Sequence, residues 1–278
     1  MTFLQDQRLQ LHRGLIENRT LSLNSAGIAS MADKNSPSSV KIAREIAGAL
    51  GVQVSDDKKL DGQTVGGNFE AAVKTFLEST FLAFQHLRPG QWRVFNVGSA
   101  RVRKYLGDYE PYTHLYELAE VVKKNPELEA VLGNGYVISP DVIVTRTPEP
   151  DDVINNGSDL IDAGVARQTI IREANARHLP ASEILHAIVS CKWTIRSDRA
   201  QNIRSEALNL MRNRKGRLPH IVALTAEPTP SRLASIALGT GDIDMVYHLA
   251  LPELMEAVDR VGGDTAKSLI HTMVEGQR

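Results

Sequence analysis

Ser190-Cys191-Lys192, with Pro140-Asp141 upstream and Ser205-Glu206 downstream, supplies the residue types that can hold a divalent metal against a phosphate. Hard cations such as magnesium take oxygen ligands, commonly one or two carboxylates with water and phosphate oxygens filling the rest. Asp141 and Glu206 are the carboxylates in reach of this pattern. A lysine beside them, here Lys192, can stabilise charge building on the phosphate or help deprotonate the attacking water. Four residues after the lysine begins Arg196-Ser197-Asp198-Arg199. Arginine donates twice to O6 and N7 of guanine, and aspartate accepts from the N4 amino group of cytosine. Each residue alone has a plainer reading. Asp141 suits a turn after proline, Lys192 a surface position with its stem laid on the strand, and Glu206 a solvated helix face. The joint spacing is the signal.

The elements that must position these residues follow from periodicity. Ser36-Pro37 reads as a helix N-cap with proline in the first turn, followed by Val40, Ile42, Ala43, Ile46, Ala47 and Leu50 at helical spacing and a stop at Gly51. Gly66-Gly67-Asn68 opens a second helix whose apolar side carries Phe69, Val73, Phe76, Leu77, Phe81 and Phe84, ending near Pro89-Gly90. From Trp92 the period changes to that of strands: 92–97, then 136–144 interrupted at Ser139-Pro140-Asp141, then a buried run over 184–194, then 221–224 and 245–249. Helices are expected over 115–122, 198–214, after Pro230, and over 252–261. The alternation argues for an α/β fold, a central mixed sheet flanked by helices with a helical N-terminal part. No linker divides the chain, so one domain over 1–278 is expected, mainly helical over 1–90 and an α/β core over 91–278.

Bulk composition narrows the function classes. The chain has 278 residues, 42% of them hydrophobic, and a net charge of −1. That balance opposes a protein that coats nucleic acid non-specifically, yet leaves room for a local basic cleft. Between Lys192 and His220 eight Lys or Arg face two acids, Asp198 and Glu206. Arg212, Arg214, Lys215 and Arg217 fit a solvated or phosphate-touching face. One cysteine excludes an intramolecular disulfide framework and fits a reducing compartment. The N-terminus has no signal-peptide core and no apolar run approaches bilayer length, so no membrane association and a cytoplasmic location are expected. Cys191 has no local histidine to activate it and is expected in the core. The eight histidines show no paired metal spacing. Gly133-Asn134-Gly135 and Gly239-Thr240-Gly241 read as turns rather than phosphate loops.

These residues resemble the PD-(D/E)XK nuclease superfamily, with Pro140-Asp141 as its first half. The second half departs from the usual pattern, because Ser190 stands two before the lysine where an acid is common. One subgroup takes the acid from the following helix, fourteen positions after the lysine, where Glu206 stands. Ser190-Cys191-Lys192, Arg196-Ser197-Asp198-Arg199, Ser205-Glu206 and Thr229-Pro230-Ser231-Arg232 together resemble the NgoMIV-like branch of the CCGG-recognising type II restriction endonucleases. The resemblance runs over essentially the whole chain.

It implies a restriction-endonuclease-like fold, with Asp141, Lys192, Glu206 and Ser190 in the active site together with Glu70, which periodicity alone reads as a solvated helix position. It implies two magnesium ions per site, held by Asp141, Glu206 and the backbone carbonyl of Cys191. It implies that Arg196, Asp198 and Arg199 read the inner CC/GG, that Arg232 and Asp33 read an outer guanine and cytosine, and that Gln63 reaches the minor groove. The expected partners are double-stranded DNA, three further copies of the chain in a dimer of dimers, and a companion DNA methyltransferase acting separately. The expected activity is cleavage of G/CCGGC leaving four-base 5′ overhangs. A sequence-specific protein on the same fold that does not cut, and a repair nuclease without sequence preference, are the alternatives.

Overall fold

A computed structural model describes residues 1–55, 60–97, 106–125, 127, 140–167, 169–176, 181–239 and 241–277. The first half of the interrupted strand at Tyr136–Ile138, the turn Gly133-Asn134-Gly135, the charged loop 56–59 and Thr240 lie outside the described residues. Five strands hydrogen-bond in sequence order: β1 (Trp92–Asn96), β2 (Val142–Arg146), β3 (Ile184–Lys192), β4 (His220–Thr225) and β5 (Met245–His248). β1 and β2 are antiparallel, with Trp92 opposite Arg146 and Asn96 opposite Val142, whereas β4 and β5 are parallel, with Val222 opposite Met245. The sheet is therefore mixed, and helices flank it, as the alternating strand and helix periods required. Among the described residues no helix is long and apolar enough to cross a membrane.

The chain packs as two compact units. One contains Met1–Thr80, Val189–Ala207 and Ile221–Arg278. It holds α1 (Phe3–Glu17), α2 (Pro37–Ala49), most of α3 (Gly62–Ala83), α7 (Pro230–Ala237), α8 (Leu251–Val261) and α9 (Asp264–Glu275). Ser36 caps α2 by accepting from the Ser39 amide at 3.3 Å, with Pro37 opening the helix. Ile42, Ala43, Ile46 and Ala47 then form its buried face, which packs on α8. Helix α9 packs on α7 and α8. Helix α3 begins at Gly62, four residues before the glycine pair that reads as its start. Asp61 causes the difference: its carboxylate accepts from the Gln63 and Thr64 amides at 3.0 and 2.9 Å. Satisfying those first-turn donors outweighs a helix-propensity cost of about 1 kcal/mol for each interior glycine.

The other unit contains Phe81–Ile188 and Leu208–His220. The β1–β2 pair is backed by Val94, Val142, Ile143 and Val144, all buried. Helix α4 (Thr113–Lys123) follows Tyr112, which is fully buried and donates its hydroxyl to the Leu210 carbonyl at 2.9 Å. A short α5 (Asp151–Asn155) follows β2. Phe81, Trp92, His186 and His220 stack edge-on in succession, with Phe81 and Trp92 at 5.4 Å, Trp92 and His186 at 4.8 Å and His186 and His220 at 5.2 Å.

The end of β5 makes the stability of the protein sensitive to acid. His248 Nδ1 accepts the Ala250 amide at 3.1 Å, a bond open only to the ring without a proton there, and burial lowers the pKa of His248 to about 4. Above pH 6.5 the ring is neutral in both the folded and the unfolded chain. Below it the unfolded chain takes up a proton that the folded one refuses, so stability falls as pH drops from 6.5 towards 4. The loss approaches about 3 kcal/mol at the acid end. Urea unfolding at pH 7 and pH 5 measures it. His248→Gln is expected to reduce the slope, with His186, whose pKa burial also lowers to about 4, and His12, which burial lowers as well, supplying what remains. A wild-type slope in His248→Gln would refute the assignment.

Candidate functional site

Strand β3 alternates its faces, so His186, Ile188, Ser190 and Lys192 point to one side, with Val189 and Cys191 on the other. Cys191 is buried, as expected for a core thiol. Ser190 is 7% exposed and Lys192 half-buried at the strand end. The chain then turns through Trp193 to Ile195 into α6 (Ser197–Asn213). Ile203, Ala207 and Leu210 form the buried stripe of that helix. At 100° per residue Glu206 stands about 60° from Ile203, on the shoulder of the stripe. There Glu206 Oε2 accepts from Ser190 Oγ at 3.4 Å. A carboxylate missing from the strand position two before the lysine is thus present in space, delivered by the helix.

Glu70 sits half-buried on α3, next to Phe69. The Phe69 ring meets Trp193, the residue after Lys192, edge-on at 5.1 Å and 74°. That contact holds α3 against the segment leaving β3. Asp141 belongs to the other compact unit, half-buried immediately before β2. Its carbonyl accepts from the Val97 amide at 3.1 Å, which continues the β1–β2 ladder by one bond after Pro140. β2 is the sheet neighbour of β3.

The arginine-rich segment forms the entry of α6. The Arg196 carbonyl accepts from the Ala200 amide at 2.9 Å, and Asp198 and Arg199 lie in the first turn. A carboxylate there suits the helix dipole, whereas each cation costs about 0.3–1 kcal/mol. The helix dipole therefore gives neither Arg196 nor Arg199 a stabilising role. Arg199 Nη1 donates to the Thr194 carbonyl at 3.1 Å and to its hydroxyl at 3.0 Å. Arg196 and Asp198 are exposed.

Arg232, in the first turn of α7, donates to Asp33 Oδ2. The other Asp33 oxygen accepts from the Asn35 amide at 3.1 Å. The Arg232 hydrogen bond, then the Asn35 amide, and further the charge of Arg196 hold the Asp33 carboxyl below the usual carboxylate range. Three residues far apart in sequence, Asp33, Arg196 and Arg232, therefore share one electrostatic neighbourhood. Gln63 stands on the exposed first turn of α3.

Sequence reasoning passed over Glu227. It is fully buried, accepts from the Ile195 amide at 2.8 Å and the Thr229 amide at 3.1 Å, and lies 3.7 Å from Arg232. Burial pushes its carboxyl up, against the hydrogen bonds from Thr229 and Ile195 and the charge of Arg232. The available signal was an acid in Ala226-Glu227-Pro228-Thr229-Pro230, directly after an apolar strand and before a proline-opened helix.

A central mixed sheet flanked by helices, with a lysine ending its middle strand and a carboxylate returned to that strand by the next helix, is the architecture of restriction-endonuclease-like nucleases. The chain matches the NgoMIV restriction enzyme family over residues 11–278. It is 48% identical over 276 residues to the type II restriction enzyme NgoMIV of Neisseria gonorrhoeae, covering 99% of this chain and 94% of that protein. The chain belongs to the NgoMIV restriction enzyme family, and its class is that of the type II site-specific deoxyribonucleases.

Membership implies a divalent metal cofactor and double-stranded DNA as partner. The residue types on β3 and α6 fit such a metal, since Glu206 offers hard oxygen ligands and the softer Cys191 thiol is buried on the opposite strand face. Among the described residues no three His, Cys, Asp or Glu side chains close on one point. A magnesium ion held by one or two carboxylates, with water and substrate phosphate completing its shell, needs no such cage.

Proposed function

We propose that the protein is a magnesium-dependent type II restriction endonuclease that cuts double-stranded DNA at G/CCGGC and leaves four-base 5′ overhangs. The observation that carries the reading is the Ser190–Glu206 contact beside Lys192, in a chain of the NgoMIV family. Asp141, Glu206, Glu70 and the Cys191 carbonyl would supply the oxygen ligands for two metal ions. When bound, these ions neutralise phosphate charge and lower the pKa of water. Lys192 orients the attacking water and holds its developing negative charge. Ser190 donates to Glu206 and fixes the rotamer in which that carboxylate faces the strand. Attack in line with the departing 3′ oxygen leaves a 5′-phosphate and a 3′-hydroxyl.

Arg196 and Arg199 supply donors for guanine and Asp198 an acceptor for cytosine of one CC/GG half-site. Arg232 and Asp33 address the outer G and C, and Gln63 the minor groove. A palindrome is read by a two-fold pair of subunits. We assign two such pairs to a tetramer that works in the cytoplasm beside a separately acting methyltransferase.

Plasmid DNA incubated with protein and magnesium tests the reading, with the ends mapped by run-off sequencing. One discrete fragment pattern cut after the first G of GCCGGC is expected, from a particle that light scattering sizes as four chains. Binding without cleavage would identify a non-cutting DNA-binding protein, and a smear would identify a nuclease without sequence preference.

A further inference from the structure

Glu227 touches the roots of both segments that carry the base-facing arginines. Its Oε2 accepts from the amide of Ile195, the residue before Arg196, at 2.8 Å. Its Oε1 accepts from the amide of Thr229, three residues before Arg232, at 3.1 Å. Arg232 Nη1 lies 3.7 Å from Oε2, while Nη2 of the same guanidinium donates to Asp33. The Glu227 amide is itself tied to Thr225 Oγ1 at 3.1 Å. Pro228 and Pro230 fix their own φ angles near −65° on either side of Thr229. The connector from β4 to α7 is thus a stiff brace with one carboxylate at its centre.

A carboxylate with no solvent exposure is costly, and replacing a buried charge by apolar groups is often neutral or stabilising. Glu227 lies outside the residues assigned to the metal, and each of its two oxygens is held by an amide at the root of a recognition segment. An arginine discriminates guanine only when both donors meet O6 and N7 together, and a shift of about 1 Å costs a large share of the discrimination. One rigid acceptor bonded to both roots fixes the spacing between the two arginines.

We infer that Glu227 is a positioning residue for sequence recognition, setting the separation of Arg196 and Arg232 so that inner and outer base pairs are read in one register. The inference rests on the assignment of those arginines to base reading and goes beyond it. Discrimination at the inner and outer positions is then coupled through a group that touches no DNA.

The test is the ratio of kcat/KM on the full site to kcat/KM on duplexes with one inner or one outer base pair changed. Glu227→Gln keeps the shape, removes the charge and turns an NH2 towards one of the two amides. About a tenfold or greater fall in both ratios is expected, whereas a merely structural role would lower the melting temperature and leave both ratios unchanged. Arg232→Ala serves if Glu227→Gln does not fold. Coupling predicts a fall of about threefold or more in the inner ratio as well as the outer one, and an untouched inner ratio overturns the inference. Arg196→Ala separates the two levels. An unchanged inner ratio in that variant removes the base-reading assignment and the inference with it. Normal arginine effects beside unchanged ratios in folded Glu227→Gln overturn the inference alone.

Discussion

Lys192→Ala is expected to leave the full site bound but uncut. The lysine ends β3 on the same face as Ser190, whose hydroxyl reaches Glu206, one of the carboxylates proposed above to hold the metal. A cation placed where negative charge develops contributes about 10²–10³ in rate, as the loss of a single oxyanion donor illustrates. If the amine also takes part in activating the water, a further factor of about 10²–10⁴ is lost. Single-turnover cleavage in magnesium should therefore fall by at least about a thousandfold. Affinity measured in calcium should change by less than about tenfold, because one phosphate-facing cation is a small part of a DNA interface. Lys192→Met separates charge from packing, since it keeps most of the stem that lies along the strand. It should be as inactive as the alanine variant and melt close to wild type. Cleavage at the wild-type rate in either variant would sink the catalytic assignment.

The strand bearing that lysine was legible because an unbroken run of Ile, Val, Ala and Ser between polar segments has one good home, the middle of a sheet. The sequence places its end at Thr194, whereas β3 ends at Lys192. Trp193 and Ile195 remain buried beyond it, so apolarity persists two to three residues after regular pairing stops. Helix α2 was legible through its cap and proline. Helix α1 was not, because among its described residues only His12 and Leu15 are buried, and one histidine with one leucine gives no apolar period. Helix α9 was passed over although Ala266, Leu269, Ile270, Met273 and Val274 stand at helical spacing along it.

The candidate site divides in the same way. The spacing from Lys192 to Glu206 survives in sequence because a strand, a short turn and a helix are locally determined. Asp33 and Arg232 meet across 199 positions, and no local pattern announces that. Glu227 was hardest to see, since a buried carboxylate is identified by what encloses it and its sequence neighbours are two prolines and a threonine.

Arg196→Ala is expected to abolish discrimination at the inner base pairs and to slow cleavage of the correct site as well. A bidentate arginine–guanine contact contributes about 1–3 kcal/mol of discrimination. In the proposed two-fold complex the substitution removes that contact twice, so the ratio between the full site and an inner variant should fall by about 30-fold to 10⁴-fold. Arg196 also opens α6, and Glu206 lies ten residues further along the same helix, about 15 Å away. A helix whose entry is no longer anchored on the correct base can deliver its carboxylate to the Ser190 face less reliably, so kcat should fall together with affinity. Arg212→Ala, in the last turn of the same helix, is the control. Loss of a phosphate contact weakens all sequences alike and lowers the salt dependence of binding by about one unit of slope, with the cleavage ratio unchanged. If Arg196→Ala behaved like Arg212→Ala, the segment from Arg196 to Arg199 would be a backbone contact, and sequence reading would have to come from elsewhere in the chain.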